Sequence, residues 1–428
     1  MASNFRQKSQ PIVIVGAGVF GLTTALELKR RGYESITVVD RFLPPVIDGS
    51  SVDISRIIRV EYADALYAKM AREAYEGWVT EYSDYYYESG FVMLADKKGH
   101  GYLRDSQKTA QALGHKVIAH DDAEEVRRTY PTIQANLEGL SANDNPRGGW
   151  ADAESSIRHL AKQCTLAGVS FVCGSRGTVQ SLKLDNGRVV GLNVSEGPPI
   201  LAAQVILATG AWTNRLIEVS HATTASGQPV GFIQLTEQEA QRLKGMPVVI
   251  NLDTGVFCFP PFPKSNVLKV ARHGYGYATE FTSGHGQTLV SSPKRDGDNA
   301  SSSYLPADAD AALRDGLKQL MPDFAHRPWL KRRLCWYSDT QKGDFVIDHH
   351  PKIAGLFVAT GGAGHGFKFL PVLGKRIADC FENKAPEDVR EKWRLRVTDA
   401  PDLAPKRGDG SRGGPLLRKL SRQEQAKL

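Results

Sequence analysis

A glycine-rich turn near the amino terminus constrains the fold of this chain more than any other feature. Gly16, Gly18 and Gly21 form the pattern G-x-G-x-x-G. Gly16 permits a tight turn, Gly18 lets the backbone approach a pyrophosphate, and Gly21 lets a helix pack closely on a strand. The motif stands in a β-α-β context, with a predicted strand at 12–15, a helix at 19–31 and a second strand at 36–39. The pattern therefore predicts a dinucleotide-binding unit.

Asp40 follows the second strand, 19 residues after Gly21. A carboxylate at that point can accept hydrogen bonds from an adenosine ribose, and it would repel a 2′-phosphate, which disfavours NADP. We also assign Val19 and Phe20, which lie within the motif, and Arg41, which follows Asp40, to the cofactor-binding surface. These residues fit FAD and NAD alike, so they do not indicate which of the two cofactors binds.

A later strand and turn favour FAD. The predicted strand at 205–208 runs into Thr209, Gly210, Ala211 and Trp212, and resembles the later strand of FAD-binding proteins with two dinucleotide folds. A third strand pattern, at 356–359, is also followed by a glycine-bearing turn. Long mixed stretches separate these strands, so we expect one nucleotide-binding domain built from separated segments, with a second domain inserted.

Composition excludes several classes of protein. No run of about 18 apolar residues is present, so a membrane span is not expected. The five cysteines form no CxxC pair, and no cluster of His, Asp and Glu suggests a metal site, so we predict neither disulfides nor a metal. Such cysteine usage fits a reducing, intracellular compartment.

The last 28 residues hold much of the positive charge. The net charge is +7, and residues 401–428 carry seven Lys or Arg against three Asp or Glu. No nucleic-acid-reading motif accompanies this charge, so neither nucleic acid nor membrane is an expected partner. The composition of 401–414 predicts disorder. Residues 284–303 are likewise predicted to form a long surface loop.

The chain ends in Ala426, Lys427 and Leu428, which differ from the peroxisomal signal Ser-Lys-Leu only at the small first residue. A disordered tail would display this tripeptide to the import receptor. The sequence thus predicts a peroxisomal protein, or otherwise a cytoplasmic one.

Three blocks carry a family resemblance: Ser-Arg-Ile-Ile-Arg at 55–59, Cys-Trp-Tyr-Ser-Asp-Thr at 335–340, and Gly-Gly-Ala-Gly-His-Gly-Phe-Lys-Phe at 361–369. Together they resemble the monomeric sarcosine oxidase family, which includes pipecolate oxidase, saccharopine oxidase and the fungal fructosyl amino acid oxidases (amadoriases). The resemblance extends from about residue 11 to 384.

The resemblance implies an α/β and α+β fold, with a Rossmann-like FAD-binding domain of the glutathione-reductase type and an inserted mixed-sheet substrate domain. We assign residues 1–90, 150–215 and 335–390 to the FAD-binding domain. Residues 91–149 and 216–334 are assigned to the substrate domain, and 391–428 to the basic tail. The family also implies a monomer.

By resemblance, Cys335 attaches the flavin through a thioether to its 8α-methyl carbon. Arg56 is expected near the flavin, and the block at 361–369 adds the remaining cofactor-binding residues, Gly364, Gly366, Phe367 and Lys368. The tether would retain the cofactor and raise its potential.

The resemblance also implies the catalytic residues. Arg59 and Lys368 match the pair that holds the substrate carboxylate, and Lys269 matches the lysine that activates oxygen. His273 matches an active-site histidine. Arg59 favours an ordinary amino-acid carboxylate, because the amadoriases lack an arginine there. Val52 replaces a histidine of the sarcosine oxidases, so the substrate stays open.

The implied reaction is oxidation of the secondary amine of an N-substituted amino acid. Hydride passes to FAD, the imine hydrolyses, and O₂ is reduced to hydrogen peroxide. A flavin amine dehydrogenase, an N-methyl amino acid oxidase of secondary metabolism and a non-catalytic flavin-binding protein remain as alternatives.

Overall fold

The computed structural model describes residues 8–282, 289–294, 302–396 and 407–428. The helices of these ranges are α1 Val19–Arg30, α2 Ala65–Val79, α3 Gly101–Ala112, α4 Ala153–Leu166, α5 Thr213–Leu216, α6 Glu237–Arg242, α7 Ala307–Leu320, α8 Leu370–Phe381, α9 Glu387–Lys392 and α10 Arg422–Ala426. Short 3₁₀ helices lie at Ser83–Tyr85, Ala123–Arg128, Gly174–Gly177, Gly210–Trp212, Pro322–Phe324 and Gly366–Phe369.

The strands are β1 Ile12–Val15, β2 Ile36–Val39, β3 Arg56–Ile58, β4 Tyr86–Glu88, β5 Phe91–Asp96, β6 Ile118–His120, β7 Leu140–Asn145, β8 Gly149–Ala151, β9 Ser170–Val172, β10 Val179–Asp185, β11 Arg188–Val194 and β12 Ile200–Leu201. The second half adds β13 Gln204–Leu207, β14 Thr224–Gln234, β15 Val248–Asn251, β16 Val256–Cys258, β17 Val267–Arg272, β18 Tyr277–Ala278, β19 Phe281–Thr282, β20 Leu289–Val290, β21 Lys331–Asp339, β22 Val346–His349, β23 Leu356–Thr360 and β24 Arg418–Lys419.

A six-stranded sheet in the order β22-β23-β13-β1-β2-β9 forms the nucleotide-binding half. All its neighbours pair in parallel except β22, which runs antiparallel to β23. The carboxyl ends of β1, β2 and β13 lie side by side, since Val15 is in register with Val39 and Leu207. Ligands of such sheets bind beyond these ends.

The first β-α-β unit forms nearly as the pattern predicts. The strands at 12–15 and 36–39 are confirmed, and α1 ends one residue before the predicted 31. The later strands lie at Gln204–Leu207 and Leu356–Thr360, each displaced or extended by one residue. Short, mostly apolar and mostly buried strands leave little ambiguity about which segments form the sheet centre.

A ten-stranded mixed sheet forms the second half, in the order β24-β18-β14-β17-β16-β15-β5-β7-β6, with β21 also paired to β14. Two residues that we predict to be functional lie on the strands that flank the long strand β14. Phe232 pairs with Lys269 on β17, and Gln228 pairs with Cys335 on β21, both antiparallel. The α/β and α+β fold class is thus confirmed. We propose the domain boundaries given above, with two departures from the division into sheets: residues 335–339 belong to β21 of the ten-stranded sheet, and the tail adds β24 to it.

The carboxyl-terminal tail differs from its prediction. Part of the predicted disordered segment, 401–406, lies outside the described residues, but 407–414 is ordered, with Ser411 and Arg412 buried. Further on, β24 pairs in parallel with β18, and α10 follows. The prediction of a disordered tail was therefore wrong for 407–414, because tertiary contacts outweigh a Gly- and Pro-rich composition.

The predicted loop at 284–303 is also only partly described. Residues 289–294 include β20 and the buried Ser291 and Ser292, so this part is not an exposed loop. The rest lies outside the described residues, apart from 302 and 303. All five cysteines are free thiols. None of the helices in the described ranges combines the length and the apolar character that crossing a bilayer requires.

Candidate active site

Two cavities meet at a shared wall between the sheets. The larger encloses about 1360 Å³, including its open mouth, and the smaller about 770 Å³. Arg56, Tyr337, Gly364 and Phe367 line both. A molecule that filled the larger cavity would therefore reach the smaller one.

Main chain forms much of the larger cavity. Gly16, Gly18, Val19 and Phe20 line it where β1 ends and α1 begins. Gly16 has a φ of +109°, and a Cβ at Gly21 would overlap the carbonyl oxygen of Gly16. Gly18 has no side chain to cap α1, and the Ser51 hydroxyl accepts a hydrogen bond from the Val19 N–H at 3.0 Å. This geometry fits a pyrophosphate at a helix amino terminus.

Asp40 and Arg41 line the same cavity beyond β2. The Asp40 carboxylate accepts a hydrogen bond from the Ala17 N–H at 2.8 Å, so it also fixes the glycine turn. Burial raises the pKa of Asp40, and the N–H groups of Ala17 and Phe42 oppose that rise. Arg41 pairs with Asp48 at 2.7 Å and lies over the Trp212 ring. The residues present fit an adenine dinucleotide.

Cys335 lies just behind the shared wall. Its side chain is buried, and the Arg56 Nη2 donates to its Sγ at 3.6 Å. Arg56 in turn is held by Asp53 at 2.6 Å and by the carbonyl of Ser50. Cys335, the predicted attachment residue, therefore contacts Arg56, which is one of the residues that line both cavities.

Arg59 and Lys368 both line the smaller cavity. Arg59 donates to the Tyr102 hydroxyl at 2.9 Å and stacks over the Tyr62 ring, but its buried Nη1 has no hydrogen-bond partner among the described residues. Lys368 donates to the carbonyl of His365 at 3.3 Å and also faces Tyr62. Burial, followed by Arg59, lowers the pKa of Lys368 well below its usual value. The unpaired Nη1 of Arg59 and the buried amine of Lys368 would both gain a hydrogen-bond partner if an anion bound in this cavity.

Lys269 lies on another wall of the smaller cavity, in a buried ion-pair cluster. Its Nζ is 2.9 Å from the Asp53 carboxylate and donates to the carbonyl of Ser55 at 2.7 Å. Burial lowers the pKa of Lys269 to about 7, although Asp53 opposes the shift. Burial alone would raise the pKa of Asp53, but Lys269, Arg56 and Arg333 together lower it.

His273 lines the smaller cavity and contacts the tail segment there. Its Nε2 is 3.0 Å from the Ser411 hydroxyl, and its pKa is lowered well below the usual value by burial and then by Arg412. Arg412 forms a two-pronged ion pair with Asp339, with Nη1 at 2.7 Å from the carboxylate. The tail therefore closes one side of this cavity.

The structure brings the predicted catalytic residues Arg59, Lys269, His273 and Lys368 together around the smaller cavity. Gly364 and Phe367 face both cavities and Gly366 faces the larger one, whereas Lys368 lines only the smaller. In the described ranges no group of three or more His, Cys, Asp or Glu could hold a metal.

Sequence reasoning missed three charged or polar residues of the site. Asp53 organises Lys269 and Arg56, but a single acid before Ser-Arg-Ile-Ile-Arg gives no local signal. Asp409 and Ser411 line the smaller cavity from a segment whose composition predicts disorder. Only their approach to residues far away in the sequence makes them part of the site.

Comparisons with known proteins agree with this geometry. Residues 11–380 match the model of a family described as FAD dependent oxidoreductase (DAO). The chain is 33% identical to L-saccharopine oxidase of Schizosaccharomyces pombe over 91% of this chain and 94% of that protein. It is 25% identical to a peroxisomal sarcosine oxidase of Mus musculus, over 85% and 90% of the two chains.

A solved structure gives the same result for the fold. The deglycating enzyme fructosamine oxidase (Amadoriase II) of Aspergillus fumigatus superposes with a TM-score of 0.83 at 28% identity, over 97% of this chain and 96% of that one. The resemblance drawn from the sequence motifs is confirmed, and so is the fold that it implied.

Proposed function

Since the chain belongs to the FAD dependent oxidoreductase family, we propose that it oxidises the secondary amine of an N-substituted amino acid and reduces O₂ to hydrogen peroxide. One observation carries the proposal. Arg59 and Lys368, which we expect to bind the substrate carboxylate, line the smaller cavity, and that cavity shares a wall with the one that fits the dinucleotide. The relatives named for saccharopine, sarcosine and fructosamine oxidation all act on amino compounds of this kind.

Bound FAD would accept a hydride equivalent from the carbon next to the amine nitrogen and deliver the electrons to O₂. The residues of this chain bind and orient the substrate. The unpartnered Nη1 of Arg59 donates to the substrate carboxylate. Because burial and Arg59 lower the pKa of Lys368, an arriving carboxylate would draw a proton onto its Nζ. Two cations would then fix the carbon next to nitrogen in one position.

Lys269 supplies positive charge at the other wall. We propose that its ammonium, held by Asp53, stabilises the negative charge that develops as oxygen is reduced. This role favours an oxidase over the alternative, a flavin amine dehydrogenase that passes electrons to a quinone or protein carrier. The charged cavity argues against a non-catalytic flavin-binding protein. An N-methyl amino acid oxidase of secondary metabolism fits the same carboxylate pair.

We further propose that the flavin is covalently attached through Cys335. The support is its position behind Arg56 at the shared wall, together with the Cys-Trp-x-x-Asp-Thr block. Acid precipitation of the purified protein tests this. Yellow colour should stay with the polypeptide in the wild type and pass to the supernatant in Cys335→Ala. Colour in the wild-type supernatant would remove the covalent bond from the proposal.

The carboxyl terminus supports a peroxisomal location and recognition by the import receptor. Ala426 and Lys427 are exposed, but Leu428 is half-buried against the hydrophobic core of the ten-stranded sheet, so the receptor would have to draw Leu428 out of that contact. A mouse relative is named for the same compartment. We propose a monomer, as the family resemblance implies.

Peroxide release under air, with saccharopine, pipecolate, sarcosine and fructosyl-valine side by side, tests the activity. A response to one of them defines the substrate branch. A strongest response to fructosyl-valine would show that Arg59 does not select ordinary amino acids. Anaerobic bleaching of the flavin without peroxide in air would show a dehydrogenase. No bleaching by any amine would contradict the proposed function.

A further inference from the structure

The tail segment 407–414 places a carboxylate in the substrate cavity. Asp409 lines the smaller cavity together with Arg59, Lys368, His365 and His273. Its neighbour Gly408 is anchored by an N–H donated to the carbonyl of Gln341 at 3.1 Å. The cavity that offers two cations to a substrate carboxylate therefore also presents an anion.

Asp409 is not needed to dock the tail. Among the described residues, the partners of its carboxylate are the N–H and hydroxyl of Ser411, two residues away, at 3.0 and 2.5 Å. The tail is docked by other contacts. Arg412 pairs with Asp339, the Gly413 N–H donates to the carbonyl of His273, and the Leu420 N–H donates to that of Ala278. The two bonds from Ser411 stabilise a local turn at 409–411 but reach no other element, so docking of the tail does not explain why an acid stands at 409.

The charge of Asp409 persists at neutral pH. Burial would raise its pKa, but His365, the Ser411 hydroxyl, His273 and Arg59 together lower it. Burial is the largest cause that lowers the pKa of both histidines, that of His365 to about 3, whereas Asp409 opposes the shift. Once a substrate carboxylate occupies Arg59 and Lys368, Asp409 faces an additional anion. A substrate with a further positive charge would relieve that repulsion.

We infer that Asp409 binds a primary ammonium group of the substrate, distinct from the secondary amine that is oxidised. The substrate class is then an N-substituted diamino acid, with a carboxylate for Arg59 and Lys368 and an ammonium for Asp409. This inference rests on the proposed amine oxidation. It narrows the substrates toward the saccharopine type and away from pipecolate and sarcosine, which have no second amine.

A paired substrate experiment tests the contact. Wild-type enzyme and Asp409→Asn are assayed with saccharopine and with N-(5-carboxypentyl)glutamate, which is the same molecule without the primary ammonium. We expect the wild type to prefer saccharopine by about 10- to 100-fold in kcat/KM, mainly through KM, as one charge-assisted hydrogen bond gives. Asp409→Asn should lose that preference, and its kcat/KM with the analogue should rise, because the repulsion between Asp409 and the substrate carboxylate is removed. Asp409→Glu should restore part of the preference.

The controls separate substrate binding from folding. Asp185→Asn, at an exposed hairpin position, is the matched loss of one carboxylate. Hydrogen exchange of the Gly413 and Leu420 amides should be unchanged in Asp409→Asn, because Asp409 does not anchor the tail.

Three results would overturn the inference. In the first, Asp409→Asn slows both substrates equally. In the second, the wild type uses both compounds equally well. In the third, pipecolate or sarcosine is oxidised while neither paired compound bleaches the flavin; the proposed function would then survive without the inference. Failure of every amine would instead remove the proposed function itself.

Discussion

The two cavities of this protein are constructed from different parts of the chain. The larger cavity is lined by segments from residue 15 to residue 367, but its glycine turn, with glycines 16, 18 and 21, lies within six residues of one β-α-β unit. Side chains from segments hundreds of residues apart form the smaller one: Arg59, Lys269, Lys368 and Asp409. A site formed by main chain requires glycines at fixed positions within a few residues of one another. A site formed by charged side chains can draw them from any positions along the chain. The first leaves a local motif whose spacing explains itself, whereas Arg59, Lys269 and Lys368 could be assigned only through the family resemblance.

The largest effect should come from filling the backbone site. In Gly21→Ala the new Cβ would overlap the carbonyl oxygen of Gly16, so helix and strand would have to separate. Such overpacking typically costs about 1–3 kcal/mol of stability or more, and it displaces the turn that would bind the pyrophosphate, so FAD affinity should fall as well. We expect purified protein without flavin absorbance. Gly101→Ala is the matched control, because a Cβ there meets nothing closer than 4.0 Å, and it should keep its flavin.

The next largest effect should come from releasing the tail. Asp339→Asn leaves the Arg412 guanidinium buried without its anion, and breaking a buried pair typically costs about 3–5 kcal/mol. We expect a lower unfolding midpoint, faster proteolysis of 407–428 and weaker substrate binding, with flavin retained. FAD binding in the larger cavity would thus be retained although substrate binding in the smaller cavity is weakened.

A second ion pair in the same tail provides the control for this prediction. Arg418 and Asp308 are largely exposed, so Asp308→Asn should cost only about 0–1 kcal/mol. Equal destabilisation by the two variants would show that the Arg412 pair is not what holds the tail.

A smaller and more selective effect is expected at Lys269. Lys269→Met should slow flavin reoxidation by about 10²–10³-fold, as loss of one donor to developing charge does, with flavin reduction nearly unchanged. Stopped-flow measurement of the two half-reactions checks this. Equal slowing of both would contradict the role.

The pH dependence sharpens the same point. The pKa of Lys269 is about 7, and only its protonated form is cationic, so reoxidation should slow as pH rises through about 7. Asp53 raises that pKa, so Asp53→Asn should move the midpoint to lower pH. A midpoint that moves upward would place the titration elsewhere.

Local patterns predicted the strands and helix around Gly16 to within one residue, because buried four-residue apolar runs have few alternative arrangements. The same approach failed for 407–414, where composition predicts disorder. That segment is ordered by Arg412 reaching Asp339 and by backbone bonds to the turn after β17. No window of local sequence contains those partners. The roles of Arg59, Lys269, His273, Lys368 and Cys335 stay predictions.

By itself, the sequence determined the dinucleotide cradle, the fold class and, through its motif blocks, the family. These depend on short-range spacing and on residue types whose backbone requirements are local. Only the tertiary structure decided which charges face one another: Asp53 against Lys269, and Asp409 against Arg59 and Lys368. Electrostatic energy depends on distance in space and on burial, and neither is written in the separation of residues along the chain.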